Sequence, residues 1–512
     1  MHTDEVEPAM RFQFNNPTSR QRLLVLGVLS SGLSGCFNPL LPVPQSTIAP
    51  IVRAPQSAMP DQFAPNWWQV YDDAQLNAVV TEALAANRQL QQAAATVLEY
   101  RAAVQAIAPS AWHSNTALWG SRGNSAAGGQ PEGVMADKAS AHRQSNYAAS
   151  FDLQWELDIF KRLSALKQVS SAALSAVQAD QAALQLLIAA ETTRAWLMGC
   201  NTVQQQRLLQ QQLQLLAQQA QLSEKMYHAG RSTAADLLQR QSHYARVLAT
   251  QATLQQQLQQ HQSALNILMA RPPTLALSIA QQCQQLPPLQ HNVQHLEATV
   301  MLQRRPDIYA AEQRLRAATA QRNVAQADLY PRIQLGAGVY QPLANSPQNN
   351  ASRATVWRIG PLLSWQFPNF SAARAAIAQA DARAVKALAQ FDQQIIVALN
   401  EWQQALHDDQ VMGAAQQQQR QAWQYSLQRQ HMAEQSVKLG RLEYMTQLDL
   451  QLEQLEQAAL LAQQNQNYIA TQIQLFKVFA GRWQHAPAPA PATTTALQRT
   501  AADLATIPSA TE

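Results

Sequence analysis

Glycine, charged residues and cysteine are all scarce in this chain. Glycine supplies 16 of 512 residues and charged residues make up 14%, against about 7% and about 25% in soluble globular proteins. This composition excludes collagen-like and charge-driven disordered classes. It also argues against a doubly wound nucleotide-binding enzyme, which needs glycine at its phosphate-binding turn. Three cysteines are too few for a disulfide scaffold.

Long apolar runs, strong net charge and catalytic motifs are also lacking. No uninterrupted apolar run approaches the roughly 18 residues of a membrane-spanning helix. A net charge of +4 predicts no nucleic-acid partner. The sequence contains no Gly-rich phosphate loop, HExxH motif or paired-cysteine zinc spacing. We therefore expect a protein that is not an enzyme, with no catalytic residues, no cofactor and no metal site.

The N-terminal region carries a secretion signal. Leu23–Leu33 is an apolar stretch behind two arginines and is too short to cross a bilayer. It ends in Leu33-Ser34-Gly35-Cys36, which resembles the lipobox of bacterial lipoproteins and implies lipidation of Cys36. Phe37, at the position where lipoproteins of the inner membrane usually carry Asp, favours the outer membrane. The alternative is an ordinary signal peptide with an incidental cysteine.

Composition divides the chain into six segments. Either Met1 or Met10 can be the first residue of the translated chain, and the choice does not change this division. A Pro-rich stretch follows the signal, another Pro-rich connector lies in the middle, and the C-terminal tail is rich in Ala and Pro. In chain order we predict a lipoprotein signal peptide (1–35), an acylated tether (36–66), a first structural repeat (67–271), a connector (272–303), a second structural repeat (304–483) and a disordered tail (484–512).

The two predicted repeats share one register. Gly230-Arg231 aligns with Gly440-Arg441, and the length difference between the halves falls in a polar stretch, where insertions are tolerated. Each half is predicted to contain a helix, a β-hairpin and then very long helical runs. Of the cysteines beyond the signal, Cys200 falls in a long helical run and Cys283 in the connector. Because their spacing demands no disulfide, we interpret both as free thiols.

The predicted strands are the sharpest local pattern. The hairpins span about 113–158 and about 331–367, and in both the side chains alternate between apolar and polar, with Leu362 as an apolar exception. Such alternation with aromatic ends is typical of a transmembrane β-strand, whereas a half-buried sheet in a soluble sandwich is the alternative. The polar positions predicted to face a barrel lumen are Asp152, Gln154, Glu156 and Asp158.

Four strands in lipid require more than one chain. An open sheet edge would leave unpaired N–H and C=O groups in hydrocarbon, and known barrels begin at about eight strands. Two chains would supply eight strands and three would supply twelve, of which only the larger number leaves a useful lumen.

Helical patterns dominate the remainder of each half. The predicted helices cover about Asp73–Ile107, Leu163–Tyr227, Thr233–Met269, Asp307–Asp328, Ala372–Lys438 and Tyr444–Phe479. Glutamine occupies the positions beside the apolar stripe where a coiled coil usually carries charged residues. This pattern fits either the uncharged, water-facing wall of a tunnel or an ordinary solvent-exposed helix face. The fold class is therefore mainly α with a small transmembrane β part.

Several motifs give the chain a resemblance to the TolC-like outer-membrane channels of tripartite efflux systems, and to their lipoprotein branch in particular. The Arg304-Arg305-Pro306-Asp307-Ile308 segment is the most specific of them. The others are Trp67-Trp68 with Asp73-Ala74-Gln75-Leu76, Trp155–Phe160, Ala310-Ala311-Glu312 and Tyr330-Pro331.

The resemblance implies a homotrimer in the outer membrane that extends into the periplasm. Twelve strands would form a β-barrel, and twelve helices would continue it as an α-barrel. The implied partners are outer-membrane lipid, a periplasmic adaptor and an inner-membrane pump, with a proton-driven pump favoured over an ATP-driven one. A non-channel envelope coiled coil is the alternative from another class of protein.

The resemblance also places a periplasmic entrance at the helix–helix corners of the two halves. The matching residues are Tyr227, Gly230, Asp236, Gly440 and Asp449. Under three-fold symmetry each Asp would form an acidic ring able to bind cations. Asp236 has a second interpretation, which is charge complementation at the N-terminus of a helix that begins near Thr233.

Overall fold

A computed structural model describes residue 42 and residues 66–125, 142–275, 277–283, 286–287, 297–342, 355–365 and 370–479. The predicted signal peptide, Cys36 and the tail from 484 onward lie outside these residues. The chain divides into two compact units. Within the described residues, the sheet unit lies in 101–173 and 315–387, and the helical unit lies in 66–100, 174–314 and 388–479.

The fold is mainly helical with a small strand part, as predicted. The helices are α1 (Ala74–Ala86), α2 (Arg88–Ser110), α3 (Arg162–His228), α4 (Ala234–Leu268), α5 (Ile279–Gln282), α6 (Ala298–Arg304), α7 (Pro306–Ala327), α8 (Phe370–Lys438) and α9 (Tyr444–Phe479). The strands are β1 (Trp112–Ser125), β2 (His142–Leu157), β3 (Arg332–Pro342) and β4 (Val356–Ser364). Short 3-10 turns lie at Trp67–Tyr71 and Pro273–Leu275.

The helix predicted over Asp73–Ile107 is in fact two helices. Asn87 adopts ψ 124° between α1 and α2, and its Oδ1 accepts from the backbone N–H groups of Gln89 (3.0 Å) and Leu90 (3.2 Å). Its amide also donates to the Leu268 carbonyl at 2.9 Å. Asparagine therefore caps a second helix and fixes the break, an effect that apolar periodicity does not reveal.

All four strands form one antiparallel sheet in the order β1-β2-β3-β4. Trp155 of β2 pairs with Trp112 of β1 and with Leu335 of β3, which itself pairs with Pro361 of β4. Since side chains alternate between the faces of a sheet, these four residues share one face. The residues before and after them lie on the other.

Aromatic packing anchors the first residues of the helical unit. The ring of Trp67 stacks on Phe476 with centroids 4.8 Å apart, and Tyr71 is fully buried beside them. The indole N–H of Trp196 donates to the Asp73 carboxylate at 2.9 Å. That carboxylate also accepts from the first backbone N–H groups of α1, so it is both a helix cap and a tertiary contact.

The interpretation of Cys200 and Cys283 as free thiols is wrong, because the two form a disulfide. A Cβ added to the neighbouring Gly199 would lie 2.6 Å from Cδ1 of Ile279 in α5, so α3 and α5 are in direct contact. This contact brings together two cysteines that are 83 positions apart in sequence. Sequence spacing cannot report such a meeting, because the tertiary packing of the connector produces it.

Helix α3 also meets the length and composition requirements of a membrane-crossing helix in one window of mean hydropathy 1.2. A single such helix is weak evidence, since core helices of soluble proteins meet the same requirements. The residues that point to a membrane lie in the sheet unit.

Candidate functional site

One face of the sheet is apolar and uncovered. Trp357, Ile359 and Leu363 of β4 are 72%, 71% and 68% exposed. The same face continues through Phe151 and Trp155 of β2, which are also exposed. Side chains of this size rarely form a broad uncovered patch on a soluble monomer, and such patches mark interaction or membrane surfaces.

Aromatic residues bound this apolar face at both ends. Trp112 and Trp155 stack with centroids 5.4 Å apart at the end where β2 leads into α3. Trp357 is the second residue of β4, and Trp365 immediately follows the strand. These eight positions correspond to about 26 Å of extended strand, which is close to the roughly 25 Å apolar band of an outer-membrane barrel.

The opposite face carries the predicted lumen residues of β2. Asp152, Gln154 and Glu156 share this face with Gly338, Gly336 and Gln334 of β3, which pair with them in that order. The Asp152 carboxylate accepts from Nη2 of Arg358 at 2.6 Å. Two bonds of 2.8 and 2.7 Å join Glu156 to Arg162.

Asp158, the fourth predicted lumen residue, lies one position beyond the end of β2. Its carboxylate accepts from the backbone N–H groups of Leu163 at 2.8 Å and Ser164 at 2.9 Å. These donors belong to the first turn of α3, where unsatisfied N–H groups attract a negative charge. The side chain is therefore engaged in starting the long helix.

The two predicted corners of the helical unit have the same backbone geometry. Gly230 and Gly440 adopt φ +69° and +68°. After α3, the N–H of Gly230 donates to the Tyr227 carbonyl at 2.9 Å and that of Arg231 to the Met226 carbonyl at 2.8 Å. The corner after α8 repeats this pair of bonds at 2.9 Å each. Both are Schellman caps, which require the left-handed conformation that glycine adopts without steric cost.

Asp236 closes the first corner from its other side. Thr233 and Asp236 form a capping box, in which the Asp236 carboxylate accepts from the Thr233 hydroxyl at 2.7 Å and from its backbone N–H at 3.0 Å. The hydroxyl bond, followed by the backbone bond, lowers the pKa of this exposed carboxyl. Within one chain, Asp236 therefore lies at the N-terminus of α4 and caps it, which is the second of the two interpretations given for this residue.

Asp449, the other predicted acidic residue, pairs with Arg240. Nη1 of Arg240 lies 2.5 Å from Oδ1 of Asp449, and Nη2 lies 3.2 Å from Oδ2. Gln219 of α3 donates to Oδ1 at 3.1 Å and accepts from Arg240 at 3.3 Å. This cluster of Gln219, Arg240 and Asp449 joins α3, α4 and α9, and we call it the corner clasp.

The sequence patterns did not identify Arg240 or Gln219. The sequence gives only a weak signal for Arg240, which is its position as a cation one turn beyond Asp236. Its partner Asp449 is 209 positions away in sequence. The clasp partly neutralises Asp449, so an Asp449 ring would carry less negative charge than unpaired carboxylates would.

Tyr227, which lies at the first corner, beside Gly230, is 42% exposed. Among the described residues, no group of three or more His, Cys, Asp or Glu side chains could hold a metal ion.

The comparisons with known proteins agree with this geometry. Residues 299–481 match the family described as "Outer membrane efflux protein". The chain is 27% identical over 480 residues to the pyoverdine export outer membrane protein OpmQ of Pseudomonas putida, covering 90% of this chain and 98% of that protein.

Two further proteins are similar over most of the chain. The probable outer membrane lipoprotein SilC of Salmonella typhimurium is 24% identical over 383 residues, covering 71% of this chain and 77% of that protein. The solved structure of the outer-membrane channel OprN superimposes with a TM-score of 0.72 at 25% identity, covering 87% of this chain and 99% of that one.

Proposed function

We propose that the chain is a member of the outer membrane efflux protein family and the outer-membrane exit duct of a tripartite efflux system. The match of residues 299–481 to that family and the similarity to OpmQ and OprN over most of the chain support this proposal. The duct passively conducts drugs or other small toxic compounds from a pump–adaptor complex to the exterior. In this proposal the duct is not an enzyme, and the driving force comes from the pump.

The observation that carries this proposal is an incomplete sheet with an uncovered apolar face. Within the described residues, the sheet ends at β1 and β4, so both edges need partners from other chains. Closing the edges of neighbouring copies on each other satisfies their backbone groups and turns the apolar face toward lipid. Three copies give a barrel of twelve strands with the polar face around the lumen.

The helical unit supports a continuation of the duct. In each half, shorter helices precede a pair of strands, and two long helices follow it. This order supports an architecture of two internal repeats. Helices α3, α4, α8 and α9 contribute four long helices per chain, or twelve in a trimer. We place the periplasmic entrance at the two glycine corners, with Tyr227, Gly230, Asp236, Gly440 and Asp449 around it.

The corners also supply a docking surface for the periplasmic adaptor. Leu439 and Tyr444 at the second corner are 66% and 54% exposed, and Arg231 and Arg441 follow the two glycines with exposed side chains. Apolar contact area with arginine beside it is typical of protein interfaces. We propose a proton-driven inner-membrane pump as the third component.

The mass of the assembled protein tests the proposed number of chains in the barrel. Native mass spectrometry of the purified protein in detergent is expected to show three copies of the chain, because only then do twelve strands close. A stable, folded monomer or dimer at the same concentration would contradict the proposed barrel.

We also propose that Cys36 is lipid-modified and anchors the chain to the outer membrane. Replacing Cys36→Ser should abolish incorporation of labelled palmitate, because serine offers no thiol to the modifying enzyme. The assembled protein should still form, since the described aromatic anchor begins at Trp67. Ser46→Ala, in the same predicted tether, is the matched control, and its labelling should equal that of the wild type. Unchanged labelling of the Cys36 variant would refute the proposal.

A further inference from the structure

A charged pair reaches across the polar face of the sheet between two strands that are not neighbours. Asp152 of β2 and Arg358 of β4 both pair with Gly338 of the intervening strand β3. The arginine side chain crosses above this glycine, and its Nη2 lies 2.6 Å from Oδ1 of Asp152.

Gly338 leaves the space that the pair occupies. A Cβ at this position would lie 2.5 Å from Oδ1 of Asp152 and 3.0 Å from Nε of Arg358. Any larger residue would displace one of the two side chains. The glycine therefore allows two opposite charges on separate strands to meet directly.

The neighbouring charges of this face are compensated within the chain too. Glu156 pairs with Arg162 at 2.7 Å, and Arg332 pairs with Asp328 at 3.0 Å. Beside the Asp152–Arg358 pair lies a cavity of about 290 Å³, whose lining includes Ser150 and Tyr340. Two opposite charges at contact distance produce a field that falls off much faster than that of a single charge.

We propose that the Asp152–Arg358 pair sets the charge selectivity of the barrel. When the Asp152 carboxylate and the Arg358 guanidinium are paired, the part of the polar face around them carries no net charge. Anionic, cationic and neutral solutes therefore pass it alike. Loss of either partner would place an uncompensated charge at this level in every copy of the chain. The inference rests on the proposed function, because it requires that the polar face line a water-filled lumen.

The test uses a reporter cysteine at Gln154, which lies on the same face two positions from Asp152. In the assembled, membrane-inserted protein, cationic and anionic methanethiosulfonates are applied separately, and their reaction rates are compared. Cys200 and Cys283 do not compete, since they form a disulfide, and Cys36 is replaced by serine in every variant. All variants are measured at the same pH and ionic strength, because salt screens the potential of lumen charges.

Each substitution changes the rate ratio in a stated direction. Arg358→Gln should raise the ratio of cationic to anionic reaction rates roughly threefold or more, because surface charges produce potentials of the order of kT or above. Asp152→Asn should lower the ratio by a similar factor. The double variant should return to the parent value, because it is neutral again.

Gly338→Ala is the matched control, since it displaces the pair while both charges remain, and it should leave the ratio near the parent value. An unchanged ratio in both single variants would overturn the inference while leaving the duct intact. If neither reagent reacts at position 154 in an assembled trimer, the face is not wet, and the proposed function fails together with the inference.

Discussion

Loss of the Cys200–Cys283 disulfide is expected to lower the free energy of unfolding by about 2–5 kcal/mol. The bond closes a loop over a sequence separation of 83 residues, and the chain-entropy model gives about 4–5 kcal/mol for a loop of this length. Both cysteines are buried, at 2% and 5% exposure, so the reduced thiols would stay packed. Chemical denaturation of purified protein, with and without reductant, measures the effect.

A comparison of single and double variants separates the bond from the packing of its two sulfurs. Cys200→Ala, Cys283→Ala and the double variant should lose nearly equal stability, because either replacement removes the whole bond. Reductant should then have no further effect on any of the three. Additive losses would show that the cysteines act as separate buried side chains, and an unchanged midpoint in reductant would contradict the prediction directly.

Breaking the corner clasp is expected to raise the single-channel conductance several-fold. Arg240→Ala removes both bonds to Asp449 and the bond to Gln219, so α3, α4 and α9 can separate at the proposed entrance. The ion pair is partly exposed, at 28% and 42%, and pairs of this kind contribute at most about 1 kcal/mol. The variant should therefore fold and assemble normally while its entrance widens.

The swap of the two charges provides the sharpest control. Arg240→Asp combined with Asp449→Arg restores an attractive pair and should return the conductance toward the parent value, whereas Arg240→Asp alone should not. Arg246→Ala, an exposed arginine on the same helix, should leave conductance unchanged. Equal conductance in the parent, Arg240→Ala and Arg240→Asp channels would show that the clasp does not hold the entrance.

The sequence patterns predicted local structure well, because local chemistry determines it. Alternating side chains predicted the strands, and Gly230 and Gly440 marked both corners, where a left-handed residue is required. Leu362, the apolar exception on the polar face, is explained by its contact with Gly336 of the neighbouring strand β3. A Cβ at Gly336 would lie 2.5 Å from Cδ1 of Leu362, so the leucine fills the space that this glycine leaves.

Contacts between distant segments could not be predicted from the sequence. The Cys200–Cys283 bond, the partnership of Arg240 with Asp449 and the crossing of Arg358 over Gly338 each depend on helices or strands that meet only after folding. Asp158 shows the same limit on a smaller scale. Alternation continued through it, but the start of α3 engages its carboxylate.

Ion conduction by the purified, assembled protein in a planar lipid bilayer tests the central claim most directly. The account predicts discrete, long-lived conductance steps, small in the parent protein and larger in Arg240→Ala, because three sheets close into a water-filled barrel. An assembled protein that inserts into the bilayer yet passes no current, in the parent and in Arg240→Ala alike, would contradict the claim that this chain forms a duct.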